Sequence, residues 1–198
     1  MARFPKLGRV FLALLVAAVA GPACSRKPVE APEAAPRSAT EDAIITDFKA
    51  RIAKYADVSG KLRAEVFPPG DEVQAATIHK HQKELASRIV KALPEWKQGD
   101  IFTPEIATLV RRRLAEALSG PDGENNRGAI FDDAPPPQKI VVMTEYPTGM
   151  PVATVPAEIL KLLPVLPKEL EYRFVGRDLI LFDVSAYLMV DVVTNAIK

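Results

Sequence analysis

Cys24 is the only cysteine of the chain, so no intrachain disulfide can form and folding depends on a hydrophobic core. His79 and His81 are the only histidines. Two apart on a helix they point about 200° away from each other, since each residue turns roughly 100°. They cannot share an ion without unwinding that helix, and no His and Cys set has zinc-like spacing. The sequence therefore predicts neither a metal nor a cofactor. Ser59, Ser87, Ser119 and Ser185 sit in no Gly-x-Ser-x-Gly elbow. The glycines near Asn125-Asn126 are followed by no Lys-Ser or Lys-Thr, which leaves no phosphate loop. Charge of one sign is lacking too: 26 basic residues stand against 25 acidic ones, a formal net charge of +1. Nothing in that balance draws nucleic acid or strongly favours an anionic membrane. No apolar run reaches the roughly 20 residues of a spanning helix.

What is present begins at the N-terminus. Arg3, Lys6 and Arg9 lead into the apolar run Val10–Ala20, followed by Gly21-Pro22-Ala23-Cys24. This is the pattern of a cleaved export signal over residues 1–23. Two cleavage sites compete. In one, Cys24 becomes the first mature residue and its thiol takes a diacylglycerol. In the other, Ala18-Val19-Ala20 directs cleavage before Gly21 and Cys24 stays free. The sequence favours the first, because an unpaired thiol at that position is then explained. The stretch resembles a bacterial lipobox, with Gly21 where leucine is usual. Ser25 implies an outer-membrane destination if the cell has two membranes. Without residues 1–23 and their three basic groups, 23 basic residues face 25 acidic ones, a charge of −2. Residues 24–40, with three prolines and no large aliphatic except Val29, read as a disordered tether.

Residues 41–119 read as three helices. Ile45, Phe48, Ile52, Tyr55, Leu62 and Val66 form a seam of about 3.5-residue period, interrupted by Ser59. Thr40 is placed to cap that helix and Pro68-Pro69-Gly70 to end it. Ala75, Ile78, Gln82, Leu85, Ile89 and Ala92 mark a second helix, stopped by Pro94. Thr103-Pro104-Glu105 opens a third, with Thr103 as N-cap and Gly120-Pro121 at its end. Residues 120–138 read as loop. In residues 139–198 the period changes. Strands are expected over Lys139–Tyr146, Glu171–Val175, Leu179–Asp183 and Tyr187–Val193, with a short helix at Pro156–Leu163. Such short turns force antiparallel pairing. The expected class is α+β: a three-helix region packed with a small antiparallel β-meander.

Candidate functional side chains are few. Asp132-Asp133, Asp178, Asp183 and Asp191 are the carboxylates that a fold can bring together. Arg111-Arg112-Arg113 fans over about 200° of a helix and reads as a solvated face, with Glu116 four residues beyond Arg112. Trp96 reads as a plug between the second and third helices. Tyr172 and Phe174 share one strand face, expected to lie on the core.

Leu162-Leu163-Pro164, Leu166-Pro167 and Leu170-Glu171-Tyr172-Arg173-Phe174-Val175-Gly176-Arg177-Asp178-Leu179-Ile180-Leu181 resemble an uncharacterised family of exported bacterial proteins. Gln98–Glu105 is similar to the middle of the same family. The resemblance implies a fold and an exported location, and no activity. The terminal hairpin also resembles the end of small periplasmic proteins linked to nickel and cobalt homeostasis. The expectation is a lipid-anchored envelope protein, periplasmic or on the outer membrane. It is expected to bind an envelope component or support assembly, without catalytic residues. A hydrolase with a carboxylate pair and a metal-homeostasis accessory are the alternatives.

Overall fold

The computed structural model describes residues 39–68, 75–133, 135, 138–147, 149–151, 153 and 155–198. The expected signal, Cys24 and nearly all of the tether lie outside these residues. The elements are α1 (Ala39–Val66), α2 (Ala75–Ala92), α3 (Pro104–Ser119), α4 (Gly123–Asp133), β1 (Thr144–Glu145), α5 (Ala157–Leu160), β2 (Leu170–Val175), β3 (Asp178–Asp183) and β4 (Leu188–Val193). The fold is α+β, with helices packed on a four-stranded antiparallel sheet of order β1-β4-β3-β2. No helix among the described residues is long and apolar enough to cross a membrane.

The helical seams bury as their spacing requires. Ile45, Phe48, Ile52, Tyr55, Ser59 and Val66 of α1 are buried, with Leu85 and Ile89 of α2 and Ile106, Leu109, Val110 and Leu114 of α3. Ile78 and Ala92, expected on the inner side of α2, are exposed. Thr40 lies inside α1, which starts one residue earlier, at Ala39. Thr103 stands at the N-cap of α3 without a capping side-chain bond. The Thr103 side chain instead lowers the neighbouring Glu105 carboxyl from its ordinary value.

The stretch 120–138, read as loop, contains α4. Its sequence, GENNRGAIFDD, is poor in strong helix formers. Tertiary contact overrides that preference, since Ile130 is fully buried. Gly123 lets the chain turn close against the end of α3, where a Cβ would stand 2.3 Å from the Leu118 carbonyl oxygen.

β2, β3 and β4 form the expected meander. Val175 pairs with Asp178 across a two-residue turn. Gly176 takes the positive φ of 55° required at the first central position of a type II′ hairpin turn. The strand expected over Lys139–Tyr146 shrinks to Thr144–Glu145, paired with Met189 and Leu188. Met143 has φ 57°, which breaks the extended run before it. Ile140 and Val142 pack on the sheet instead, in a second cluster with Tyr146, Val175, Ile180 and Phe182. The sheet is thus apolar on both faces. Tyr172 and Phe174 face the helices, as their alternation predicts, and Phe102 stacks between Phe48 and Tyr172 at 5.7 and 6.4 Å.

Candidate functional site

An apolar groove of about 490 Å³ opens where α5 and the following Pro164–Pro167 loop meet β2. Val155, Leu160, Val165, Leu166 and Leu170 give it an aliphatic lining. The loop is fixed by its carbonyls. Tyr172 Oη donates to the Pro164 oxygen at 2.9 Å, Arg113 Nη1 to that of Leu162 at 2.7 Å, and Leu170 N to that of Pro167 at 3.0 Å. Arg173 and Glu171 also line the groove and pair with each other.

A cleft of mixed polar and apolar lining lies between α2 and β1. One part, about 190 Å³, is lined by His79, Gln82, Lys83, Glu145 and Tyr187. A second part, about 280 Å³, is lined by Ser87, Val90, Lys91, Met143 and Glu145. His79, Lys83, Ser87 and Lys91 are four residues apart, which aligns them on one helix face. His79, Lys83, Lys91 and Glu145 make no side-chain hydrogen bond or ion pair among the described residues. Tyr187 stands there with φ 53°, a left-handed conformation costly for a bulky residue. Its ring is held edge-on by Phe182 at 5.2 Å and Tyr146 at 5.8 Å. His81 does not enter this cleft. It is half-buried, with its ring edge-on to Phe67 at 5.4 Å.

Among the described residues, the buried candidate carboxylates Asp183 and Asp191 are bound to separate sets of donors. Asp183 is buried and accepts from Tyr55 Oη at 2.9 Å, Ser185 N at 2.9 Å and Ala186 N at 3.0 Å. Asp191 is fully buried and accepts from Gly99 N at 2.9 Å, Ile101 N at 2.9 Å, Phe102 N at 2.7 Å and its neighbour Val192 N at 2.8 Å. The register of β3 and β4 shifts between Leu181 and Phe182. Such a bulge puts two successive side chains on one face, here Val190 and Asp191, and so aims the carboxylate at the loop before α3. Burial raises both acids above the ordinary aspartate value, against the opposing pull of the N–H donors. Burial, and then the charge of Asp183, push the Tyr55 hydroxyl well up. Asp178 accepts from Asn195 N at 2.7 Å. Asp132 is exposed on α4, and the Asp133 side chain lies outside the described residues. None of the cavities named here is lined by an aspartate.

The donors that meet Asp191 come from a loop about 90 residues away and were not legible locally. The signal was a lone carboxylate inside the otherwise apolar run Leu188–Val193, where a buried charge demands partners. The arginine run is also more than a solvated face. Arg111 donates to the Thr194 oxygen, Nη2 at 2.8 Å and Nε at 3.2 Å. Arg112 and Arg113 both bond Glu41 of α1, Arg113 at 3.0 Å. The Arg113 bond, first among its causes, holds the Glu41 carboxyl below the usual range. Arg112 keeps Glu116 at 3.9 Å as well. Trp96 is half-buried and tilts over Tyr55 of α1 at 5.9 Å.

Among the described residues no group of three or more His, Cys, Asp or Glu side chains is placed to hold a metal ion. Compared with protein-family models, curated proteins and solved structures, the chain matches none.

Proposed function

We propose that the chain is an exported protein of a bacterial cell envelope, lipid-anchored through Cys24, that acts by binding another envelope component or supporting assembly rather than by catalysis. The observation that best supports this reading is the use made of the buried carboxylates. A hydrolytic pair needs two carboxyls flanking one substrate atom. Asp183 and Asp191 are instead committed to separate sets of protein donors, which fasten α1 and the loop before α3 to the sheet. Among the described residues, the groove is lined by one carboxylate, Glu171, and the cleft by one, Glu145. The surface offered to a partner is the α2–β1 cleft, where His79, Lys83, Lys91 and Glu145 make no ion pair among the described residues. On the same footing we place the chain with the exported family that Gln98–Glu105 and Leu170–Leu181 resemble.

Two experiments test this. Cells fed labelled palmitate should label the wild-type protein and not Cys24→Ala; equal labelling of both contradicts the anchor. Pull-down of the mature protein from envelope extract should recover a specific partner that Lys83→Glu with Lys91→Glu no longer retains. Retention unchanged by that charge reversal contradicts the assigned surface.

A further inference from the structure

We infer that the end of α5 at Leu160 and the loop that follows it to β2, residues 161–169, form a membrane-contacting element that sets the orientation of the domain on the bilayer. Val165 is 83 % exposed, beside Leu160 at 45 % and Leu162 at 37 %. Three large aliphatic side chains within six positions thus face water, next to a groove already lined with aliphatics. Such a patch marks an interaction surface. The exposure is enforced. The Pro164, Pro167 and Leu162 carbonyls are each tied down, so the chain cannot fold Val165 inward without breaking those bonds.

The position of the loop selects the bilayer as its occupant. Arg113 joins two places at once: Nη1 donates to the Leu162 oxygen at 2.7 Å, and Nη2 pairs with Glu41 at 3.0 Å. Glu41 lies in the first turn of α1, where the chain arrives from Cys24. One guanidinium therefore holds the apolar loop against the root of the tether. Cys24 and Ala39 are separated by at most about 50 Å of extended chain. The start of α1, from which the tether leads off, thus lies beside the loop that carries Leu162 and Val165.

The flanking charges suit a lipid surface. Lys161 and Lys168 bracket the aliphatics with side chains 66 % and 90 % exposed. Lys161 pairs with Glu158 at 2.6 Å and Lys168 lies 3.7 Å from Glu169, so each has a carboxylate beside it. The net charge of the loop gives little attraction by itself, and contact depends on the aliphatics entering the interface. Lysine stems accommodate this by extending toward the headgroups. The acyl anchor supplies the hold, and the loop supplies direction.

The inference rests on the tethered reading, but its test does not require acylation. In the mature chain carrying Cys24→Ser no cysteine remains, so Val165→Cys can be labelled alone with an environment-sensitive fluorophore. Lys49→Cys, on an exposed position of α1, is the control. Vesicles of zwitterionic and anionic phospholipid in equal parts should raise emission several-fold at position 165, in a lipid-dependent way, and leave position 49 unchanged. Adding Leu160→Ser and Leu162→Ser should abolish the rise while the urea midpoint stays put. No rise at position 165, or an equal rise at both sites, overturns the proposal. A response at 165 to soluble envelope extract but not to vesicles also overturns it, in favour of a protein contact. A positive result with Cys24 unacylated in cells would refute the anchor and leave the loop intact as a lipid-binding element.

Discussion

The Tyr55 hydroxyl donates to Asp183 Oδ2 at 2.9 Å, joining α1 to the end of β3 across 128 residues of chain. Both groups are buried, and the two remaining donors to Asp183 come from its own turn, Ser185 N and Ala186 N. The tyrosine is thus the long-range half of this fastener. Tyr55→Phe keeps the ring and its contact with Trp96 but removes the donor. A hydrogen bond to a buried charged acceptor contributes about 1.5–3 kcal/mol. Urea unfolding of the variant should show a loss in that range, and a loss below about 0.5 kcal/mol would remove this bond from the account.

Asp191 is the stronger fastener, because three of its N–H donors come from the loop before α3. Asp191→Asn turns an amide NH2 toward N–H groups and strands at least one of them. The expected loss is about 2–4 kcal/mol, with amide exchange of Ile101 and Phe102 accelerated. Asp178→Asn at the exposed Asn195 contact is the control, expected to stay within about 0.5 kcal/mol of wild type.

These two acids also predict a pH dependence. Burial holds the folded-state pKa of Asp183 and of Asp191 above 3.8. The folded protein therefore binds their protons more tightly than the unfolded chain does. The resulting stabilisation is full below the unfolded value and is lost as pH rises through the folded one. Their contribution to stability should increase from neutral pH down to about 4. Urea midpoints measured along that range should change less steeply in Asp191→Asn than in wild type. Identical slopes would mean that Asp191 does not titrate with unfolding.

Two glycines of α4 should respond in opposite directions. At Gly123 a Cβ meets backbone, 2.3 Å from the Leu118 oxygen and 2.6 Å from its carbonyl carbon. Gly123→Ala should displace the start of α4 and cost about 1–3 kcal/mol. At Gly128 nothing lies within 4 Å of the added atom. Gly128→Ala should stabilise by about 0.5–1 kcal/mol, through helix propensity alone. Thermal unfolding distinguishes them, and equal shifts would contradict the packing at Gly123.

Much of this fold was legible because its long elements repeat one rule. The seams of α1 and α3 recur often enough to outweigh single exceptions, and the turns at Gly176 and Ala186 are too short for anything but antiparallel strands. α4 was not legible, because glycine and asparagine argue against a helix and only tertiary contact at Ile130 overrules them. The 139–146 run looked like a full strand because its aliphatics are β-formers. Ile140 and Val142 face the rear of the sheet without strand pairing, while Val141 is exposed. The site was less legible still. Asp191 and its donors are about 90 residues apart, and no local pattern announces a loop whose N–H groups converge. The clamp of Arg113 between Glu41 and Leu162 likewise joins segments that only the fold brings together.

The central claim is delivery of this domain to the envelope on a lipid. Intact-mass and N-terminal analysis of the protein isolated from membranes of its own host tests that most directly. The account predicts a chain beginning at Cys24 and carrying added acyl mass. An unmodified chain beginning at Gly21 would contradict the anchor, and a soluble cytosolic chain still beginning at Met1 or Ala2 would contradict export itself.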